Sequence, residues 1–163
     1  GFGDEPLEVA IGNALRKKKL TISFAESCTG GYLSHLITTV PGSSDYFAGS
    51  VIAYSNEIKI KDLGVSRDTL SAHGAVSEAT IKEMAERVRS KFKTDIGVAT
   101  SGIAGPDGGT PEKPVGTVWI AYSDNNQTVA RKLNLSKDRN VNIKVASVQA
   151  LNLIRTVIFP RCN

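Results

Sequence analysis

The apolar positions of this chain switch between two periods. Leu7, Ile11, Ala14 and Leu15 fall on one helical face, which predicts an amphipathic helix over residues 6–18. Leu20 to Ala25 reads as a short buried strand. A helix is predicted from Gly30 to Thr39, stopped by Pro41-Gly42. Ser50 to Tyr54 reads as a strand, and Asn56 is positioned to cap a short helix running to Leu63. Arg67 to Ala72 reads as a helical turn ended by His73-Gly74. Ser77 then caps a long helix on which Ile81, Met84, Ala85, Val88 and Phe92 recur at the helical period.

Asp95 to Thr100 is predicted as a strand, followed by a Gly/Pro-rich stretch from Gly102 to Pro114. Val115–Ser123 and Thr128–Leu135 read as two strands of a hairpin turning at residues 124–127. Val141, Val145, Val148 and Leu151 mark a last helix that ends near Ile158. Helices alternate with strands through two thirds of the chain, and an antiparallel hairpin follows. That order predicts a single α/β domain, a three-layer α/β/α sandwich with a mixed β-sheet. Strand order cannot be read from it.

Three chemically dense stretches each follow a predicted strand, where ligand crevices of α/β sheets form. The first is Ala25-Glu26-Ser27-Cys28-Thr29-Gly30-Gly31. N–H groups at a helix start lack intrahelical partners, so they can hold an anion or an oxyanion formed by Ser27 attack. A plainer reading has Ser27 or Thr29 capping the helix. Cys28 is a nucleophile on one reading and a small buried hydrophobe on the commoner one.

The second stretch is residues 54–59, Tyr54-Ser55-Asn56-Glu57-Ile58-Lys59. Lys59 lies one turn into its helix, where it can point back to the strand end. Partial desolvation would lower its pKa and make it a general base for a serine. The usual fate of a single lysine is instead a solvated surface. The third stretch is residues 101–110, whose four glycines suit either close ligand approach or a plain connection. It is not a phosphate-binding P-loop, since no Gly-Lys-Ser/Thr follows. Arg139, just ahead of the last helix, suits a phosphate or carboxylate clamp or a simple surface charge.

Six blocks extend this picture: AESCTGG at 25–31, PGSS at 41–44, YSNEIK at 54–59, HGAVSE at 73–78, SGIAGPDGG at 101–109 and KPVGTVW at 113–119. In content and order they resemble the C-terminal domain family of the competence/damage-inducible protein CinA, over roughly residues 20–155. That family includes stand-alone nicotinamide mononucleotide deamidases. The resemblance implies an amidohydrolase that turns the ring carboxamide into a carboxylate and releases ammonia. It implies Ser27 as nucleophile, Lys59 as base 32 residues on, and Tyr54 as an assisting group. It further implies a pocket lined by Thr29, Gly30, Gly31, Asn56, Ser101, Gly102, Ala104 and Gly105, with Arg139 toward the phosphate. No metal and no cofactor is implied. In two-domain relatives an N-terminal nucleotide-pyrophosphatase-like domain precedes this one. The opening residues, without an initiator Met, fit a linker remnant at 1–5, and Gly1 fits a cloning remnant.

Composition narrows the alternatives. A chain of 163 residues with 40% hydrophobic and 22% charged positions is globular rather than disordered. No apolar run approaches the ~20 residues of a membrane span, and no signal peptide is evident. Cys28 and Cys162 do not form a disulfide framework, and two histidines without ligand spacing make a structural zinc site improbable. The expected setting is the reducing cytoplasm. The net charge of +4 gathers at Arg16-Lys17-Lys18-Lys19 and at Lys91 and Lys93, which read as helix C-termini more readily than as a nucleic-acid surface. The expected partners are a nucleotide substrate and a second copy of the chain in a homodimer, with no nucleic acid and no membrane. The competing reading is a non-catalytic nucleotide-binding or regulatory module with the same pocket.

Overall fold

A computed structural model describes residues 4–159. Part of the expected linker, and Cys162, lie outside the described residues. Helix α1 (Leu7–Lys18) begins after Pro6 and ends where Lys19 turns left-handed. Strand β1 (Ile22–Glu26) leads to helix α2 (Tyr32–Thr38) and a single 3-10 turn (Ser43–Asp45). Strand β2 (Phe47–Ile52) is followed by α3 (Asn56–Lys61), α4 (Arg67–His73) and α5 (Glu78–Phe92). Strands β3 (Ile96–Gly102), β4 (Thr117–Ser123) and β5 (Thr128–Asn134) precede the long helix α6 (Arg139–Ile158).

The five strands form one sheet in the order β2-β1-β3-β4-β5. β2, β1 and β3 are parallel, while β4 and β5 run antiparallel, so the sheet is mixed as expected. The strand periodicity sorts the core. Ile22 and Phe24 of β1 face one layer, with Ile11, Leu15, Leu33, Ile37, Leu151 and Ile154. Ala25 faces the other, with Leu63, Val65, Ile81, Met84, Ala85 and Val88. One layer is therefore α1, α2 and α6, and the opposite one is built chiefly on α5. The three-layer sandwich read from the sequence is the fold.

Several boundaries differ from expectation. β2 starts at Phe47 rather than Ser50, because a bulge interrupts its register: Ile22 pairs with Phe47 but Ser23 pairs with Gly49. Gly49 takes φ +149°, a conformation open to glycine, and hides the alternation that a strand would otherwise display. The same strand stops at Ile52, which leaves Tyr54 beyond it. The basic clusters fall in the last turns of α1 and α5, or just after them, as the dipole argument expects. No helix among the described residues is long and apolar enough to cross a membrane.

Candidate active site

The chain runs from β1 to β2 on one side and then crosses to β3 on the other. The carboxyl ends of these three parallel strands meet at that reversal, where α/β sheets open a crevice. All three stretches singled out in the sequence converge there. Around it lies a cavity of about 280 Å³, lined by Ser27, Tyr54, Asn56, Lys59, Ser101, Gly102, Ala104, Gly105 and Arg139, all named from the sequence. Cys28, Ala75, Val76, Ile103, Asp107 and Gly108 complete the lining. A wider hollow of about 590 Å³ runs over the exposed face of α5, but one helix makes its whole rim and no chemistry converges on it.

Ser27 is held on both sides. Its N–H donates to the Thr100 carbonyl of β3, and the Glu26 carbonyl beside it accepts from the Ala53 N–H beyond β2. Its side chain is buried and points to Lys59, whose Nζ lies 3.0 Å from Ser27 Oγ. Lys59 lies one turn into α3, and Ser55 rather than Asn56 caps that helix: Ser55 Oγ accepts from the Ile58 N–H. Ser55 has the extended backbone of a cap, whereas Asn56 is already helical. Lys59 is only 1% exposed and makes no ion pair among the described residues. Its Nζ also lies 2.8 Å from the Ala53 carbonyl and 3.1 Å from the Tyr54 carbonyl. Burial lowers its pKa to about 8, against a weak opposing influence of Cys28.

Neither Ser27 nor Thr29 caps α2. The N-cap is Gly31, without a side-chain acceptor. The buried Glu26 carboxylate takes that place, accepting from the N–H groups of Gly31, Leu33 and Ser34. The helix start is therefore occupied from within the protein, so the α2 N–H groups expected to face a ligand do not. Gly30 and Gly31, with φ +56° and +103°, turn the chain ahead of the helix. Thr29 donates to Glu26 and faces away from the cavity. Glu26 is the residue that the sequence reading passed over; a glutamate closing an apolar strand five residues ahead of a glycine at the helix start was the available signal.

The remaining predicted residues form the mouth. Arg139 is the first residue of α6, behind an Asp138 cap. Its Nη1 donates to the Gly105 carbonyl at 2.7 Å and its Nη2 to the Tyr54 hydroxyl at 2.9 Å. Tyr54 is 59% exposed: its ring sits on the rim, while its carbonyl lies 3.5 Å from Ser27 Oγ. Ser101 donates to the Ala75 carbonyl and ties the 73–77 loop to β3. Asn142, buried in α6, donates to the Ala104 carbonyl and steadies the glycine-rich loop. Burial pushes the Cys28 thiol up to about 12, which suits the inert-hydrophobe reading. Among the described residues no cluster of His, Cys, Asp and Glu could hold a metal.

An α/β/α domain with a serine-lysine pair at the crevice of its parallel strands is thus the class that fold and site define. The CinA C-terminal domain family matches residues 4–158, and the chain belongs to that family. A CinA-like protein of Cytophaga hutchinsonii is 56% identical over 155 residues, which is 95% of this chain and 37% of that protein. A CinA-like protein of Kosmotoga olearia is 50% identical, over 98% of this chain and 39% of that one. The chain thus spans less than half the length of these relatives. Among solved structures, competence/damage inducible protein CihA from Agrobacterium tumefaciens superposes with a TM-score of 0.90 at 33% identity, over 93% of both chains. A CinA superfamily protein from Escherichia coli also gives 0.90, at 28% identity, over 96% of this chain and 94% of that one.

Proposed function

We propose that this domain is an amidohydrolase that converts nicotinamide mononucleotide to nicotinate mononucleotide and ammonia. The observation that carries the reading is the contact between Lys59 Nζ and Ser27 Oγ. A neutral amine has two hydrogens and one lone pair. Lys59 Nζ donates to the Ala53 and Tyr54 carbonyls and to Ser27 Oγ; once neutral, it can keep the two carbonyl bonds and accept from Ser27. The neutral form that a general base needs fills as pH rises through about 8.

In the proposed cycle Lys59 takes the Ser27 proton as Oγ bonds to the carboxamide carbon. Cys28 lines the cavity beside Ser27, and its N–H, which has no oxygen partner among the described residues, is the candidate oxyanion donor. Collapse breaks the C–N bond, and ammonia leaves with the proton from Lys59. Water, giving its proton to Lys59, then attacks the acyl carbon; the bond to Ser27 Oγ breaks, Lys59 returns the proton to Oγ, and the carboxylic acid product leaves. The cavity suits the nicotinamide end of the nucleotide, with apolar Val76 and Ile103 along its wall. Arg139 uses two of its five N–H donors on the protein, which leaves others for the phosphate at the mouth.

The test is ammonia release from nicotinamide mononucleotide by the purified chain beside Ser27→Ala. Turnover in the wild type that disappears in the variant is the expected result. A folded wild-type chain that binds the mononucleotide without turning it over would refute the enzyme and favour the binding module.

A further inference from the structure

The Glu26 side chain lies one residue before Ser27 and is fully buried, yet every hydrogen bond it accepts comes from the segment just after Ser27. Oε1 accepts from Thr29 Oγ1 at 2.6 Å, Leu33 N at 3.0 Å and Gly31 N at 3.2 Å. Oε2 accepts from Ser34 N at 2.9 Å and from the Ser34 hydroxyl. Thr29 Oγ1 also lies 2.7 Å from Thr100 Oγ1. Since the Thr29 hydrogen goes to Glu26, Thr100 donates to Thr29, and the turn is tied through it to β3.

A plain helix cap needs none of this. A Ser, Thr, Asp or Asn at the cap position satisfies the first turn from its own side chain. Here the cap position is a glycine in the left-handed region, and the acceptor is drawn from the end of the preceding strand. The result is a closed loop of bonds around residues 26–34. The N–H groups of Ser27, Gly30 and Tyr32 are also used, on the carbonyls of Thr100, Ser27 and Thr29. Within this turn only the Cys28 and Thr29 N–H groups are left without an oxygen partner among the described residues.

We infer that Glu26 is a positioning residue for the reaction: by holding Thr29 and the start of α2, it fixes the turn whose Cys28 N–H receives the oxyanion beside Ser27. The inference rests on Ser27 being the nucleophile of the proposed deamidase. Glu26 touches no reacting atom. Replacing it by glutamine keeps the size but sets an NH2 group against one set of donors, so the loop of bonds cannot close as before.

The experiment measures Glu26→Gln and, separately, Thr29→Val, which removes the two hydroxyl bonds of Thr29, to Glu26 and from Thr100. Each is read by steady-state turnover of nicotinamide mononucleotide and by the rate at which a fluorophosphonate labels Ser27. In labelling, Ser27 Oγ bonds to phosphorus, fluoride leaves, and the proton goes to Lys59. Both assays run well below the melting temperature, with circular dichroism to count folded molecules. The expected result for Glu26→Gln is a fall in kcat of about thirtyfold or more, with KM and the pH midpoint of labelling unchanged. Thr29→Val should lose about fivefold in kcat in the same way, and it carries the test if the Gln variant does not fold. A purely structural cap would lower the melting temperature and leave kcat per folded molecule alone; values within twofold of wild type in a folded variant overturn the inference. If wild type is labelled but hydrolyses no mononucleotide, the substrate reading fails and the labelling rates still decide the role of Glu26. If wild type is not labelled, both fall together.

Discussion

Lys59 sets a measurable signature in the stability of the fold. In the unfolded chain its ammonium has the ordinary value of 10.5, and in the fold burial lowers it to about 8. The folded state therefore holds fewer protons than the unfolded state between these values, and stability must rise with pH through that window. The cost of keeping Lys59 is about 3 kcal/mol at pH 7, about 2 kcal/mol at pH 9 and about 1 kcal/mol at pH 10. Lys59→Met removes that cost at every pH. It also strips the Ala53 and Tyr54 carbonyls of a donor, a loss of about 1–3 kcal/mol each that does not vary with pH. The absolute stability of the variant is thus a balance of opposed terms, but the pH dependence of the difference is not. Urea denaturation of both proteins at pH 7, 8.5 and 10 should show wild type gaining about 2–3 kcal/mol on Lys59→Met across the range. Other titrating groups, such as the buried Tyr122, cancel in the comparison. A difference that stays constant within about 0.5 kcal/mol would refute a buried, depressed lysine. Its activity counterpart is kcat/KM rising about tenfold per pH unit and levelling near pH 8.

Three further outcomes follow from the same geometry. Cys28 should resist alkylation in the native protein, and Cys28→Ala should keep turnover within about threefold, because its thiol is buried and pushed up to about 12 and only its backbone N–H is used; rapid native-state modification would contradict this. Arg139→Ala should raise KM for nicotinamide mononucleotide by about 10–100-fold, the worth of a charge-assisted contact, and change KM for the phosphate-free riboside far less; equal effects on both would remove Arg139 from the phosphate. Gly97→Ala should lower stability by about 3 kcal/mol or more in urea titration, since its methyl carbon would come within 2.2 Å of the Ala85 carbonyl of α5; a variant as stable as wild type would mean that α5 can move off β3.

Much of this site was legible because it rests on local rules. Ser27 at a strand end and Lys59 one turn into a helix follow from periodicity and capping, and the Gly/Pro-rich loop after β3 follows from composition. What local rules could not reach was decided across the sheet. In sequence Lys59 reads as a solvated lysine, the usual fate of a lone one, and in the fold Glu57 and Lys61 on the same short helix are exposed while Lys59 is not. It is buried because the loop after β2 turns α3 back under the end of β1, bringing Nζ to Ser27. The α2 start looked like an anion site, since an isolated helix leaves those N–H groups free. The strand twofold repeat aims Glu26 at the α2 layer, with Ile22 and Phe24, so the anion is already supplied by the chain. The proposed oxyanion contact therefore moves from the helix start to the Cys28 N–H of the turn before it. A single buried carboxylate satisfies the donors of α2, and the Cys28 N–H in the turn before it keeps no oxygen partner among the described residues.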